Sequence, residues 1–231
     1  MTTLDTYEEY AQNAIENFTH KDAASRYLFV NAVRDLEIKR VLDVGCGAGQ
    51  ELIPFVEKTD AFCVGIDAAA ELGAVASGFF KRMNFETRVA FTRSFGENLP
   101  FADESFDVVL CRVALPYMNN RQTIAEVARI LRPGGVFLLK THAPAFYFGM
   151  IRQRWKSFNP KQIAYPLICL AGGMWHLLTG RQLQKGFWQG KEVYQTEKFL
   201  KREFAKNKLQ ITGFLSDTNI ETPSFIIKKI K

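Results

Sequence analysis

Three glycines alternate with small residues directly after a short apolar run, in the segment Val41-Leu-Asp-Val-Gly-Cys-Gly-Ala-Gly-Gln-Glu51. Glycine lets the backbone approach a bound group closely and adopt positive φ angles, and the start of a following helix offers free N–H groups. The dinucleotide fingerprint G-x-G-x-x-G is met at Gly45 and Gly47 only, because Gly49 comes one residue early and Gln50 takes its place. The pattern therefore predicts a ligand-cradling loop and weakens the case for a nicotinamide dinucleotide.

An acidic residue follows at the spacing of a ribose contact. The apolar run Cys63-Val-Gly-Ile66 ends on Asp67, which lies 20 residues beyond Gly47. A carboxylate at the tip of the second strand of such a unit accepts hydrogen bonds from ribose hydroxyls. For Asp67 alone, a solvated carboxylate at a strand end is the other interpretation. Together, the loop and Asp67 predict a nucleoside site.

Five segments in order resemble the class I S-adenosylmethionine-dependent methyltransferases. After the glycine loop and the strand ending at Asp67 come Glu97-Asn-Leu-Pro-Phe101, Phe106-Asp-Val-Val-Leu110, and Glu126-Val-Ala-Arg-Ile-Leu-Arg-Pro-Gly-Gly135 with its strand Val136-Phe-Leu-Leu-Lys140. The resemblance covers residues 41 to 140 and is closest to the type 11 subgroup, which includes quinone-biosynthesis and small-molecule enzymes. It implies S-adenosylmethionine as the cofactor.

The resemblance also implies which residues hold this cofactor. Asp43 points into the site in relatives, and capping of loop amides is its other interpretation. Relatives usually carry an Asp where this chain has Phe95, so adenine is expected to stack and to meet backbone groups near Gly96. The expected cofactor-binding set is Asp43, Gly45, Cys46, Gly47, Gly49, Asp67, Ala68, Phe95, Gly96, Glu97 and Arg112.

Methyl transfer from a sulfonium is an in-line displacement, so aligning the acceptor and excluding water can supply most of the catalysis. His142 follows the fifth strand at the carboxyl edge of the sheet and is the candidate general base, with packing against a lid as the alternative. Tyr117 is expected to line the acceptor pocket, with a catalytic and a substrate-binding role. Arg112 pairs with an anionic group or with an acidic neighbour. Tyr10 and His20, near the N terminus, are further candidate substrate contacts, with a surface role as the alternative.

Alternating strand and helix patterns surround these residues. Periodicity predicts helices at 5–18, 23–36, 49–57, 70–82 and 121–131, and strands at 41–45, 62–66, 87–92, 106–111, 136–141, 209–215 and 224–230. The fold class is therefore α/β, with a Rossmann-like, mostly parallel seven-stranded sheet, an antiparallel last strand and helices on both faces. We expect one domain over residues 1–231, made of N-terminal helices (1–38), a cofactor-binding core (39–142), a basic apolar lid insertion (143–208) and closing strands (209–231).

Composition is consistent with this expectation. A chain of 231 residues with 47% apolar residues can bury one large core. The four cysteines lie far apart without a C-x-x-C pair. The first twenty residues contain acidic side chains, which are not typical of a signal peptide. We therefore expect a cytoplasmic protein with reduced thiols. No metal site is predicted, because the three histidines and four cysteines lack ligand spacing.

A long stretch of the second half contains no acidic residue. From Val127 to Lys191, 65 residues include ten Lys or Arg and no Asp or Glu. The stretch encloses an apolar run, 163–179, that is too short, and too broken by Pro166, Gly172 and Gly173, to span a bilayer. We interpret it as a lid that meets an anionic or amphiphilic acceptor or the surface of a membrane. A solvated basic face is the alternative.

These features predict methyl transfer to an oxygen or nitrogen of a small-molecule acceptor. Two alternatives stay open: a carbon methyltransferase of a quinone or isoprenoid lipid, and a cofactor-binding partner subunit without chemistry of its own. Nucleic acid is not expected as a partner, because Leu115-Pro116-Tyr117 stands where base-modifying relatives place an Asn-Pro-Pro-Tyr motif. The sequence does not determine the oligomeric state.

Overall fold

The computed structural model describes residues 23–155 and 160–230. Its strands are β1 (Arg40–Val44), β2 (Phe62–Asp67), β3 (Val89–Arg93), β4 (Phe106–Arg112), β5 (Leu131–Lys140), β6 (Leu209–Phe214) and β7 (Ser224–Lys229). They form one sheet in the order β3-β2-β1-β4-β5-β7-β6. β7 runs antiparallel to both β5 and β6, and the other neighbours pair in parallel. The predicted fold class is confirmed.

The helices are α1 (Ala23–Ala32), α2 (Ile53–Lys58), α3 (Ala70–Arg82), α4 (Asn120–Ile130), α5 (Pro144–Trp155), α6 (Pro160–Thr179) and α7 (Glu197–Lys206). Short 3-10 turns lie at Leu115–Tyr117 and Gly186–Trp188. α2 begins later than predicted, since the glycine loop occupies the preceding residues. The helix predicted at 5–18 lies outside the described residues.

Alternation along the strands divides the core into two layers. In β4, Val109 and Cys111 pack on one face of the sheet with residues of α4 and α7. Val108 and Leu110 pack on the other face with residues of α1, α2 and α3. With both faces covered, ligands have access to the edge where the parallel strands end, and the strand order reverses between β1 and β4 at that edge.

The expected lid insertion divides into two parts. α7 packs on the sheet, since Leu200 and Phe204 belong to the core, whereas α5 and α6 pack on each other beyond β5. α6 runs unbroken through Pro166 and both glycines, so the expectation of an interrupted segment was wrong. A Cβ on Gly173 would lie 2.2 Å from the Tyr194 ring. These glycines therefore permit close packing. Among the described helices, none is long and apolar enough to cross a membrane.

Candidate active site

The glycine loop is tied to the tip of β2 by backbone hydrogen bonds. Gly45, Gly47 and Gly49 all have positive φ angles, of 76°, 54° and 78°. The Gly47 N–H donates to Asp67 Oδ2 and the Ala69 N–H donates to Asp67 Oδ1, each over 3.0 Å. A carboxylate oxygen accepts two hydrogen bonds, so each oxygen of Asp67 retains capacity for a ligand hydroxyl. The two features predicted to form a nucleoside site are brought together.

Asp43 lies beneath this loop as a buried carboxyl, with 1% of the residue exposed. Neither of its oxygens has a hydrogen-bond partner within the described part of the chain, so the loop-capping interpretation gains no support. Burial and the nearby charge of Asp67 raise the pKa of Asp43 to about 7, and Arg26 and Arg112 oppose this shift. A buried carboxyl in this state suits a cationic ligand, which would favour its ionised form.

Arg112, predicted to bind the cofactor, lies in a buried ionic cluster at the end of β4. Its Nε is 3.4 Å from Glu51 Oε1, and its Nη2 donates to Ser25 Oγ over 3.0 Å. Glu51 also pairs with Arg26 of α1. Of the two sequence interpretations, the structure shows the pairing with an acidic neighbour. Glu51 was missed because nothing in its local sequence distinguishes it from an ordinary polar residue of the loop.

A cleft of about 870 Å³ opens beside Asp67 at the carboxyl edge of the sheet. Two exposed aromatic side chains line it, Phe95 at 58% and Tyr117 at 52% exposure. Seven of the predicted site residues share this lining: Gly45, Asp67, Ala68, Phe95, Gly96, Glu97 and Tyr117. The sequence thus located half of the lining.

Other predicted residues lie outside this lining. Cys46 lines a smaller adjoining pocket, and a Cβ on Gly49 would lie 2.8 Å from the Phe91 ring, which indicates a packing role. The His142 ring stacks on Phe146 with centroids 3.8 Å apart. Tyr10 and His20 lie outside the described residues.

Glu192 forms a hydrogen-bonded centre that sequence reasoning missed. Its Oε1 accepts from the hydroxyls of Tyr117 (2.9 Å) and Tyr165 (2.7 Å). Its Oε2 accepts from the Tyr147 hydroxyl (2.8 Å) and lies 2.6 Å from His142 Nδ1. We call these five residues the Glu192 cluster. The one available signal was that Glu192 is the first acidic residue after the acid-free stretch.

The negative charge of the Glu192 cluster lies on the carboxylate of Glu192. Burial acts to raise the pKa of Glu192, but the hydrogen bonds from His142, Tyr165 and Tyr147 outweigh it and lower the pKa to about 2. Burial and the charge of Glu192 raise the pKa of Tyr117 well above its ordinary value. At neutral pH, Glu192 is therefore ionised and Tyr117 keeps its proton.

Comparisons with known proteins support a methyltransferase. Residues 42–139 match the family profile described as a methyltransferase domain. The uncharacterized methyltransferase YcgJ of Bacillus subtilis is 41% identical over 107 residues, which are 45% of this chain and 40% of that protein. The crystal structure of B. subtilis YcgJ superposes with a TM-score of 0.59 at 23% identity, covering 89% of this chain and 95% of that one.

Relatives named for their substrates differ widely. The 27-O-demethylrifamycin SV methyltransferase of Amycolatopsis mediterranei is 35% identical over 97 residues, 42% of this chain and 36% of that protein. The ajmaline N-methyltransferase of Rauvolfia serpentina is 28% identical over 105 residues, 45% of this chain and 36% of that protein. Geranyl diphosphate C-methyltransferase of Streptomyces coelicolor, solved with S-adenosyl-L-homocysteine, has a TM-score of 0.64 at 12% identity, covering 96% and 86% of the two chains. The match spans only 36% to 40% of the three curated relatives' length.

The described site fits the cofactor of this family. S-adenosylmethionine is a cationic nucleoside, and the site combines a ribose-accessible carboxylate, Asp67, with the buried carboxyl of Asp43. The strand order is that of the expected Rossmann-like sheet, and the cleft lies at the carboxyl edge of this sheet. Residues 42–139 therefore form a methyltransferase domain similar to those of the class I S-adenosylmethionine-dependent enzymes, and the cofactor of this domain is S-adenosylmethionine.

Proposed function

We propose that this protein transfers the methyl group of S-adenosylmethionine to a nitrogen or oxygen of a small molecule. The observation that carries the proposal is that Asp67, oriented by the amides of Gly47 and Ala69, shares one cleft with the exposed ring of Tyr117. A nucleoside on Asp67 and an acceptor beside Tyr117 would therefore occupy adjoining parts of the same space.

Particular residues are assigned to the cofactor. Asp67 accepts hydrogen bonds from the ribose hydroxyls, and Asp43 attracts the cationic part of the molecule. The exposed ring of Phe95 offers a stacking face for adenine, next to the backbone of Gly96. When bound, the cofactor supplies an electrophilic methyl group on a positively charged sulfur.

The remaining residues orient the acceptor. In the proposed reaction, a lone pair of the acceptor would form the bond to the methyl carbon while the carbon–sulfur bond breaks and sulfur keeps that electron pair. An N–H or O–H acceptor would also release a proton to water. Tyr117 contacts the acceptor in this assignment. His142 does not line the cleft and its Nδ1 faces Glu192, so we assign it an indirect, positioning role instead of the role of general base.

An exposed face of α6 favours carbon methylation of an isoprenoid or quinone lipid as a second candidate. Leu167, Met174, Trp175 and Leu178 lie on this face and are 46% to 78% exposed. An apolar face on a helix within a basic, acid-free stretch suits an amphiphilic acceptor or an anionic membrane surface. Cosedimentation with anionic and with neutral vesicles tests the membrane contact.

Binding and turnover test the proposal separately. Asp67→Ala removes charge-assisted hydrogen bonds and should weaken S-adenosylmethionine binding by on the order of 2 to 4 kcal/mol, measured by calorimetry. Asp60→Ala is the matched control, because Asp60 is exposed and precedes the first residue of β2, at the end of the strand away from Asp67. A loss in Asp67→Ala smaller than about tenfold, or ~1.4 kcal/mol, would contradict the ribose assignment.

Transfer of a labelled methyl group to panels of small amines, alcohols and phenols then tests the enzyme activity. Cofactor binding without turnover on any panel, or on an extract of the source cells, would favour the non-catalytic partner subunit.

A further inference from the structure

The hydrogen bonds of Glu192 leave no free acceptor position on its carboxylate. A carboxylate offers about four lone-pair positions, and Tyr117, Tyr165, Tyr147 and His142 occupy them, two on each oxygen. The residue is only 4% exposed. These partners come from the turn after β4, the end of β5, α5 and α6. Glu192 therefore fixes the orientation of groups that the sequence places far apart.

This arrangement determines whether the Tyr117 hydroxyl acts as a hydrogen-bond donor or as an acceptor toward a ligand. A phenol hydroxyl has one hydrogen to donate, and Tyr117 donates it to Glu192. Tyr117 is a half-exposed residue of the cleft lining, and with its hydrogen engaged its oxygen has only lone pairs to offer a ligand. A group bound against this oxygen must itself be a hydrogen-bond donor.

The charges around the cleft act in the same direction. Asp67, Glu71 and Glu97 line it, and no Lys, Arg or His is among the described residues of the lining. The ionised Glu192 stands directly behind Tyr117. A positive or neutral donor is stabilised beside these carboxylates, whereas an anionic acceptor meets like charge and finds no cation among the described lining residues.

We propose that Glu192 is a positioning residue that makes Tyr117 an obligatory hydrogen-bond acceptor, so that the site selects an amine or ammonium group and rejects an anionic one. This inference rests on the proposed function and narrows its acceptor class. A bound ammonium would release one proton to water, and the freed lone pair of its nitrogen would then attack the methyl group. A purely structural role, in which the cluster only holds α5 and α6 to the core, would not produce a charge preference.

Three probes of one size test the selection on protein saturated with S-adenosylhomocysteine: benzylamine, benzyl alcohol and benzoate. Ligand-observed NMR and calorimetry give their affinities. We expect benzylamine to bind at least about tenfold more tightly than benzoate, with benzyl alcohol between them. In Tyr117→Phe and in Glu192→Gln, the preference should fall to about threefold or less, while the affinity for S-adenosylhomocysteine stays near that of the parent.

Glu203→Gln is the matched control. Glu203 is also a buried carboxylate, 3% exposed and paired with basic side chains of α7, but it does not line the cleft. This variant should keep the full preference. If Glu192→Gln does not fold, Tyr117→Phe alone still tests the inference. This variant removes only one of the four hydrogen bonds to Glu192, and the substituted residue is half-exposed.

The outcomes separate the two proposals. Failure of the parent protein to bind S-adenosylhomocysteine overturns the proposed function, and this inference with it. Three results would overturn the inference alone, provided that S-adenosylhomocysteine binds normally. Benzoate could bind as tightly as benzylamine, benzylamine could fail to bind, or the preference could be unchanged in Tyr117→Phe.

Discussion

Asp43 is a residue whose ionisation depends on the fold. Burial and the charge of Asp67 raise its pKa from 3.8 to about 7. The folded state thus holds this proton more tightly than the unfolded chain. Asp43 therefore contributes stability that is complete below its unfolded pKa and is lost as the pH rises through about 7.

We expect Asp43→Asn to remove this contribution to the pH dependence. The free energy of unfolding is measured with urea at about pH 5 and at about pH 8. Between these two conditions, the parent should lose on the order of 2 kcal/mol more of this free energy than the variant. Asp60→Asn, at an exposed position, controls for loss of a carboxylate. Parallel pH profiles of the parent and Asp43→Asn would mean that Asp43 is ionised in the folded protein at both values.

At the scale of the element, α6 presents two different faces. Pro166, Cys169, Gly173 and His176 are buried at helical spacing. The opposite face exposes the apolar stripe of Leu167, Met174, Trp175 and Leu178. The buried face explains how α6 is held, through close contact of Gly173 with Tyr194. The exposed face is the side of α6 that is accessible to a partner.

The stripe and its basic surroundings predict binding to anionic vesicles. Each Lys or Arg near an anionic surface contributes about 1 kcal/mol, so phosphatidylserine vesicles should retain the protein at low salt, and neutral vesicles should not. Added salt should release it. We expect the pair Trp175→Ser and Leu178→Ser to lower cosedimentation by about tenfold or more. Ile220→Ser is the control, since Ile220 is 81% exposed but lies outside α6. Equal, negligible binding to both kinds of vesicle would leave contact with an anionic acceptor or a solvated basic face.

At the scale of the whole molecule, cofactor binding and global stability should be linked. The glycine loop and β2 are held together by Asp67, so the site exists only when the sheet is formed. S-adenosylhomocysteine at about 100 times its Kd should add about 2.7 kcal/mol. For a chain of this size, that is a rise in Tm of roughly 5 to 11 °C.

Thermal unfolding followed by fluorescence, with and without S-adenosylhomocysteine, measures this rise. Asp67→Ala should show a much smaller rise at the same concentration, and Asp60→Ala should match the parent. A Tm of the parent that does not change at saturation would show that the ligand does not bind the folded state selectively.

Local pattern in the sequence determined the strands, the glycine loop and the distance from that loop to Asp67. These features depend on the two-residue period of strands, the conformational freedom of glycine and a short spacing along the chain, all of which act over few residues. The family resemblance pointed to Phe95, Gly96 and Glu97, and the position of Tyr117 after the fourth strand predicted it at the carboxyl edge of the parallel sheet; all four line the cleft.

Only the tertiary structure decided the partners of the buried polar groups. Glu192 meets groups 27 to 75 residues away in the chain, and Arg112 meets Glu51. Gly172 and Gly173, which locally indicate a break, allow α6 to pack against aromatic rings. The physical reason is that periodicity reports which face of an element is apolar, whereas the pairing of distant polar groups depends on how those elements pack.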